Sequence, residues 1–259
     1  MRINILRVLR LAVALAVLPS CGPAQEGQWG GELVSRIDSL AEARLREGPV
    51  AGFTIGVKRG ADLLLTKGYG SADLEQGVAA NAETVYRIGS LTKQFTAAAI
   101  MQLVESGQVD LNESITAYLP NYELQGHDVR VHHLLTHTSG ILSYTELGDG
   151  YWLEASVHDL SHAEMRALFE SEPFDFEPGA EYRYNNSAYY LLGVIIEVAS
   201  GRTYDDYLDE NILSPLGLTR SSYCHEQDIV PGRAQGYEQL NGALVNDGPI
   251  SMNTPGAAG

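Results

Sequence analysis

Strand signal in this chain is confined to one hairpin, and that constrains the fold more than any other feature. Phe53 to Lys58 and Leu63 to Lys67 are β-rich runs separated by Arg59-Gly60-Ala61-Asp62, a turn signature. A lone two-stranded hairpin is marginal in water, so these strands need partners. Helical signal is plentiful. Leu33, Ile37, Leu40 and Leu45 recur near helical spacing over Glu32 to Glu47, before Gly48-Pro49. An apolar run from Leu91 to Val104 ends at Ser106-Gly107, and a second, from Ser187 to Ser200, ends at Gly201. Thr203 starts a further helix with Asp205 and Asp206 in its first turn, where the dipole favours anions, and Pro215 and Gly217 close it. Val109 to Glu177 reads as mostly helical with short loops, including a helix over His132 to Leu135. Gly68, Gly70 and Gly77 read as a loop. After Ser221, Gly, Pro, Asn and Gln become dense and no regular element is read. With no later strands to join the hairpin and a flexible run over Pro255 to Gly259, the reading frame is expected to continue further.

The first residues read as an address. Arg2, Arg7 and Arg10 precede or flank the apolar stretch Leu11 to Leu18, followed by Pro19, Ser20 and Cys21. A basic start, a short apolar core and small residues make an export signal over 1–21, too short to remain as a membrane span. Leu18-Pro19-Ser20-Cys21 also resembles the cleavage box of bacterial lipoproteins, which makes Cys21 a lipidation candidate and implies attachment to the cell envelope. The alternative is a plain signal peptide cleaved a few residues later. Residues 22–31 read as a linker, and 32–259 as one domain. Cys224 is the only other cysteine and reads as a small buried hydrophobe. The formal net charge of −16 repels phosphate backbones, so nucleic acid is not an expected partner.

Two short motifs carry the chemistry. Ser90-Leu91-Thr92-Lys93 opens the first apolar helix, and residues three apart on a helix face the same way. A hydroxyl held beside an amine forms a nucleophile and its base. The position supports that reading, because a helix N-terminus stabilises negative charge near Ser90 and apolar surroundings lower the affinity of Lys93 for its proton. The second motif is Tyr184-Asn185-Asn186, the single Tyr-x-Asn among the 14 tyrosines, in a turn before the Ser187 helix. A phenol beside an ammonium relays protons, and an amide there holds both lysine and substrate.

These residues, in order, resemble the serine β-lactamase-related family. The match is carried by Tyr86-Arg87-Ile88-Gly89-Ser90-Leu91-Thr92-Lys93-Gln94-Phe95, then Leu134-Leu135-Thr136-His137-Thr138-Ser139-Gly140, then Phe176-Glu177-Pro178-Gly179 with Tyr182, Tyr184 and Asn186. The resemblance implies an α/β fold of the β-lactamase/transpeptidase type, an antiparallel sheet flanked by helices plus a mostly helical lobe. It implies Ser90 as the acylated nucleophile, Lys93 as its base, Tyr184 as the proton shuttle to the leaving group and Asn186 as a substrate-binding residue. It implies no cofactor, and a small-molecule or peptide substrate with an amide or ester bond. The family's third element, Lys-Thr-Gly or His-x-Gly, does not follow Tyr184, and chain order places it and the closing strands and helix beyond Gly259.

Other chemistries fit less well. His132, His133 and His137 invite a metal, but no carboxylate or thiol stands at a supporting spacing. There is no Gly-x-Ser-x-Gly, phosphate loop or dinucleotide fingerprint. Asp205, Asp206 and Asp209 read as a solvated helix face, and Tyr189, Tyr190, Leu191 and Ile195 as core. The rival to a hydrolase is a catalytically silent envelope-binding protein of the same fold, against which the four intact residues Ser90, Lys93, Tyr184 and Asn186 weigh.

Overall fold

The computed structural model describes residues 29–148, 159–225, 227–247 and 257. Cys21 and the export segment expected over 1–21 lie outside the described residues.

Helix α1 (Trp29–Glu47) starts inside the stretch expected as linker. Glu32 in its first turn and Arg44 and Arg46 in its last complement the helix dipole. Asp38 fastens it to the sheet, accepting from Lys67 Nζ and from the Tyr69 hydroxyl, both at 2.7 Å.

Strands β1 (Gly52–Arg59) and β2 (Asp62–Asp73) pair antiparallel as expected, with Phe53 opposite Tyr69 and Val57 opposite Leu65. The expected loop at Gly68 and Gly70 is instead the second half of β2. These glycines serve close backbone approach: a Cβ at Gly68 would stand 2.2 Å from the Ala80 backbone, and one at Gly70 2.4 Å from the Ala51 carbonyl. A two-residue strand, β3 (Val78–Ala79), pairs with β2, so the hairpin gains a third strand.

Helix α2 (Thr92–Glu105), which carries Lys93, follows a 3₁₀ turn over Gly89–Leu91. Among the described residues, the mostly helical middle expected for Val109 to Glu177 holds two 3₁₀ turns, Ile115–Ala117 and Tyr144–Glu146, and two short helices. These are α3 (Val131–Leu135) and α4 (His162–Ala167). Pro120, Gly126, Gly140, Pro173 and Pro178 interrupt every run, and the buried Ile115, Val129, Leu134 and Ile141 pin the loops at irregular intervals rather than along one helical stripe.

Helix α5 (Asn186–Ser200) is the core of the molecule. Ten consecutive residues from Ser187 to Ile196 are buried, so the helix is covered all round. Asn185 caps its start by accepting from the Ala188 amide, and Gly201, at φ 70°, ends it in the left-handed region. Thr203 caps α6 (Tyr204–Leu208), which runs into a π turn over Asp209–Leu213. Asp206 and Asp209 are exposed as expected, but Asp205 is half-buried and pairs with His225 Nε2 at 3.0 Å. Cys224 is half-buried with a free thiol.

A second hairpin lies where no element was read: β4 (Tyr237–Leu240) and β5 (Ala243–Asn246) pair through Asn241-Gly242. Both turn residues have positive φ, 51° and 82°, the backbone that an Asn-Gly hairpin turn requires.

Candidate active site

Ser90 stands exposed on the 3₁₀ turn, presented by Gly89, whose φ of 53° a larger residue would adopt only under strain. Lys93 follows in the first turn of α2 and is buried, 6% exposed. Its Nζ donates to Ser90 Oγ at 3.2 Å, to Asn186 Oδ1 at 2.8 Å and to the Ala257 carbonyl at 2.7 Å. The N-termini of α2 and α5 thus converge on one amine. Burial draws its pKa down from 10.5 to about 8, and two positive helix ends act in the same direction.

Asn186 is held on several sides. Its amide donates to Ser143 Oγ and its Nδ2 to Thr145 Oγ1, both at 3.2 Å. Next to it, Asn185 Nδ2 donates to the Ile141 carbonyl, and the Tyr144 amide donates to Ser187 Oγ at 2.8 Å. The loop from Ile141 to Thr145 is therefore clamped against the start of α5.

Tyr184 comes beside Lys93 with its ring rather than its hydroxyl: Nζ lies 4.8 Å from the ring centroid, and 5.5 Å from that of Tyr189. Such contacts favour the cation modestly, by about 1 kcal/mol, against the larger effect of burial. Tyr184 is 42% exposed.

All four residues named from the two motifs are brought together. Of the three histidines, His132 and His133 touch, with ring centroids 4.2 Å apart, but each of the three directs Nδ1 to a backbone group. His132 donates to the Leu111 carbonyl at 2.9 Å, His133 accepts from the Arg130 amide at 3.1 Å, and His137 accepts from the Asn185 amide at 3.0 Å. Sequence reasoning missed the Ala257 carbonyl, since a backbone acceptor carries no residue signature. It also missed Ser143 and Thr145, ordinary turn residues some forty positions from the motif they support.

The Beta-lactamase family model matches residues 37–259. Protein flp of Staphylococcus aureus (strain NCTC 8325 / PS 47) is 32% identical over 208 residues, 78% of this chain and 41% of its own. Esterase EstB of Burkholderia gladioli is 31% identical over 206 residues, 72% of this chain and 50% of its own. The chain thus spans half or less of the length of these curated relatives. Among solved structures, the octameric penicillin-binding protein homologue from Pyrococcus abyssi superposes with a TM-score of 0.73 at 36% identity, covering 88% of this chain and 52% of that one. The shared fold and a family match across most of the sequence agree with the serine–lysine arrangement above: the chain belongs to the serine β-lactamase-related family of hydrolases.

Proposed function

We propose that this protein is an exported serine hydrolase that cleaves an amide or ester bond through an acyl-enzyme on Ser90. The observation that carries the reading is Lys93 Nζ, 3.2 Å from Ser90 Oγ, with its pKa drawn down to about 8. At pH 7 about a tenth of such amines are neutral, against roughly one in three thousand at the ordinary value. A neutral amine has two N–H bonds and one lone pair. Asn186 Oδ1 and the Ala257 carbonyl accept the two N–H bonds, which turns the lone pair towards the Ser90 hydroxyl.

The steps follow. Lys93 takes the Ser90 proton as Oγ attacks the substrate carbonyl carbon, and the carbonyl π pair moves onto oxygen. Collapse of that oxyanion breaks the bond to the leaving amine or alkoxide, which receives the proton from Lys93 by way of Tyr184. Water then attacks the Ser90 ester with the same residues as base, releasing the acid and restoring the serine. Asn186 holds the amine and the substrate. The name of EstB supports an ester and that of the Pyrococcus abyssi homologue a penicillin-like cyclic amide as substrate, and a net charge of −16 argues against nucleic acid. The basic-then-apolar start supports export, with Cys21 as the lipid-bearing residue.

Treatment of the whole protein with a penicillin and with a fluorophosphonate is expected to add the probe's mass to Ser90, and Ser90→Ala to abolish it. No adduct on Ser90 from either probe overturns the reading.

A further inference from the structure

Tyr184 and Asn186 leave the same turn, yet they are held differently. Asn186 has its own anchors in Ser143 and Thr145. Among the described residues the Tyr184 side chain is held by the Lys93 amine over its ring and by the ring of His137, with centroids 4.6 Å apart.

His137 holds an unusual backbone. Its φ is 58°, in the left-handed region that a β-carbon disfavours at a cost of order 1 kcal/mol. Glycine would adopt it freely, so the side chain must contribute something that offsets the strain. Its contacts show what. The His137 carbonyl accepts from the Arg183 amide at 2.9 Å, and Nδ1 accepts from the Asn185 amide at 3.0 Å. One residue thus brackets Tyr184 from both sides of the chain. Between those two bonds its ring lies against Tyr184, tilted by 35°, and against Tyr189 at 4.9 Å, while Tyr182 meets it edge-on at 5.8 Å.

We propose that His137 is a positioning residue for Tyr184, fixing by its Nδ1 acceptor the turn that sets Tyr184 beside Lys93. The inference rests on the hydrolase reading above. The geometry demands a neutral imidazole, because an Nδ1 that accepts from the Asn185 amide carries no proton; the proton sits on Nε2. Burial, and then the charge of Lys93, hold the group below the ordinary imidazole range, in agreement. A second fixed cation beside Lys93 is thereby avoided.

The test is a double-mutant cycle on Ser90 acylation, read as kcat and KM for an acyl anilide whose leaving amine needs the proton that Tyr184 delivers, with fluorophosphonate labelling of Ser90 measured alongside. His137→Gly removes the side chain without backbone strain. It is expected to slow acylation by about 10- to 100-fold, in kcat rather than KM, as a misplaced catalytic group does. In a Tyr184→Phe background, where the hydroxyl to be positioned is gone, the same change is expected to cost less than about threefold. His137→Asn tolerates the left-handed backbone and presents an acceptor at the place of Nδ1, so it should stay within about threefold of wild type. Equal losses in both backgrounds overturn the proposal. So does a loss beyond tenfold in His137→Asn, which tests it even where the glycine variant fails to fold. Wild type that acylates normally while the cycle shows no coupling defeats this inference alone; wild type that never acylates on Ser90 defeats the hydrolase reading with it.

Discussion

At the start of α5, Asn186 accepts from Lys93; about 16 Å further along the same helix, Glu197 accepts from His162 Nε2 at 2.8 Å. Both are single hydrogen bonds between a side-chain cation and an acceptor on α5, but the proton affinities move in opposite directions. Lys93 is drawn down to about 8 by burial. His162 is raised, first by its hydrogen bond to Glu197 and with burial opposing. The acceptor's charge and the helix ends account for the contrast. At the first site a neutral amide faces a buried ammonium beside two positive helix ends, so no opposite charge compensates its desolvation. At the second a carboxylate faces an imidazolium whose side chain is 49% exposed. Glu197 also accepts from the Tyr204 amide at 2.9 Å, at the positive start of α6. One end of α5 gives up stability to make an amine easier to deprotonate; the other gains stability by pairing charges.

The largest effect that tests this contrast is catalytic. Lys93→Met keeps the buried stem and removes the amine, and it is expected to lower turnover by more than ~10³. In wild type, kcat/KM is expected to rise with pH and level off above about 8, as Lys93 loses its proton in the free enzyme. A loss under tenfold in Lys93→Met, or a profile flat from pH 6 to 9, would assign the base to another group.

Much of this site was legible because its chemistry is local. Ser90 and Lys93 are three apart on a helix, and Tyr184 and Asn186 sit in the turn that starts another. That the two motifs meet across 93 positions came only from the family resemblance, since nothing in Asn186 itself points to Lys93. The Ala257 carbonyl was invisible, being backbone brought in from 164 residues away. His137 was visible as a residue but read as a metal ligand to be set aside; its positive φ and its bond to Asn185 depend on tertiary packing. In the fold, Gly68 and Gly70 read as loop because glycine signals both flexibility and close approach, and only the Ala80 and Ala51 backbones decide which. The β4–β5 hairpin was legible after all, in Leu240-Asn241-Gly242-Ala243, but polar neighbours masked it.

A smaller effect separates the Lys93 end of α5 from the rest of the fold. Between about pH 8 and 10.5 the unfolded chain binds more protons at Lys93 than the folded one, so stability rises with pH across that window. Below it the folded protein bears the full cost of the buried ammonium, about 3 kcal/mol for a shift of this size. Denaturant melts of wild type and Lys93→Met are therefore expected to change by about that much relative to each other between pH 7.5 and 10.5, wild type gaining. Parallel stability curves would mean that Lys93 is solvated in the folded state, and the opposition between the two ends of α5 would disappear.

The smallest effect belongs to His162, and its sign is reversed. A histidine whose folded pKa is raised contributes its stabilisation in full below the ordinary value of 6.5 and loses it as pH climbs through the folded value. His162→Gln is therefore expected to destabilise at pH 5.5 and to approach wild type by pH 8.5. The partial exposure of the pair limits the difference to about 1 kcal/mol or less. Two further contacts set the floor: the Tyr190 hydroxyl lies 2.8 Å from His162 Nδ1, and Arg166, on the same short helix, opposes the imidazolium's charge. Glutamine retains one hydrogen bond to Glu197 without the charge, so what vanishes with rising pH is the ionic part alone. If His162→Gln costs the same at both pH values, the clasp is held by hydrogen bonding and packing, and Glu197 does at its end of α5 only what Asn186 does at the other.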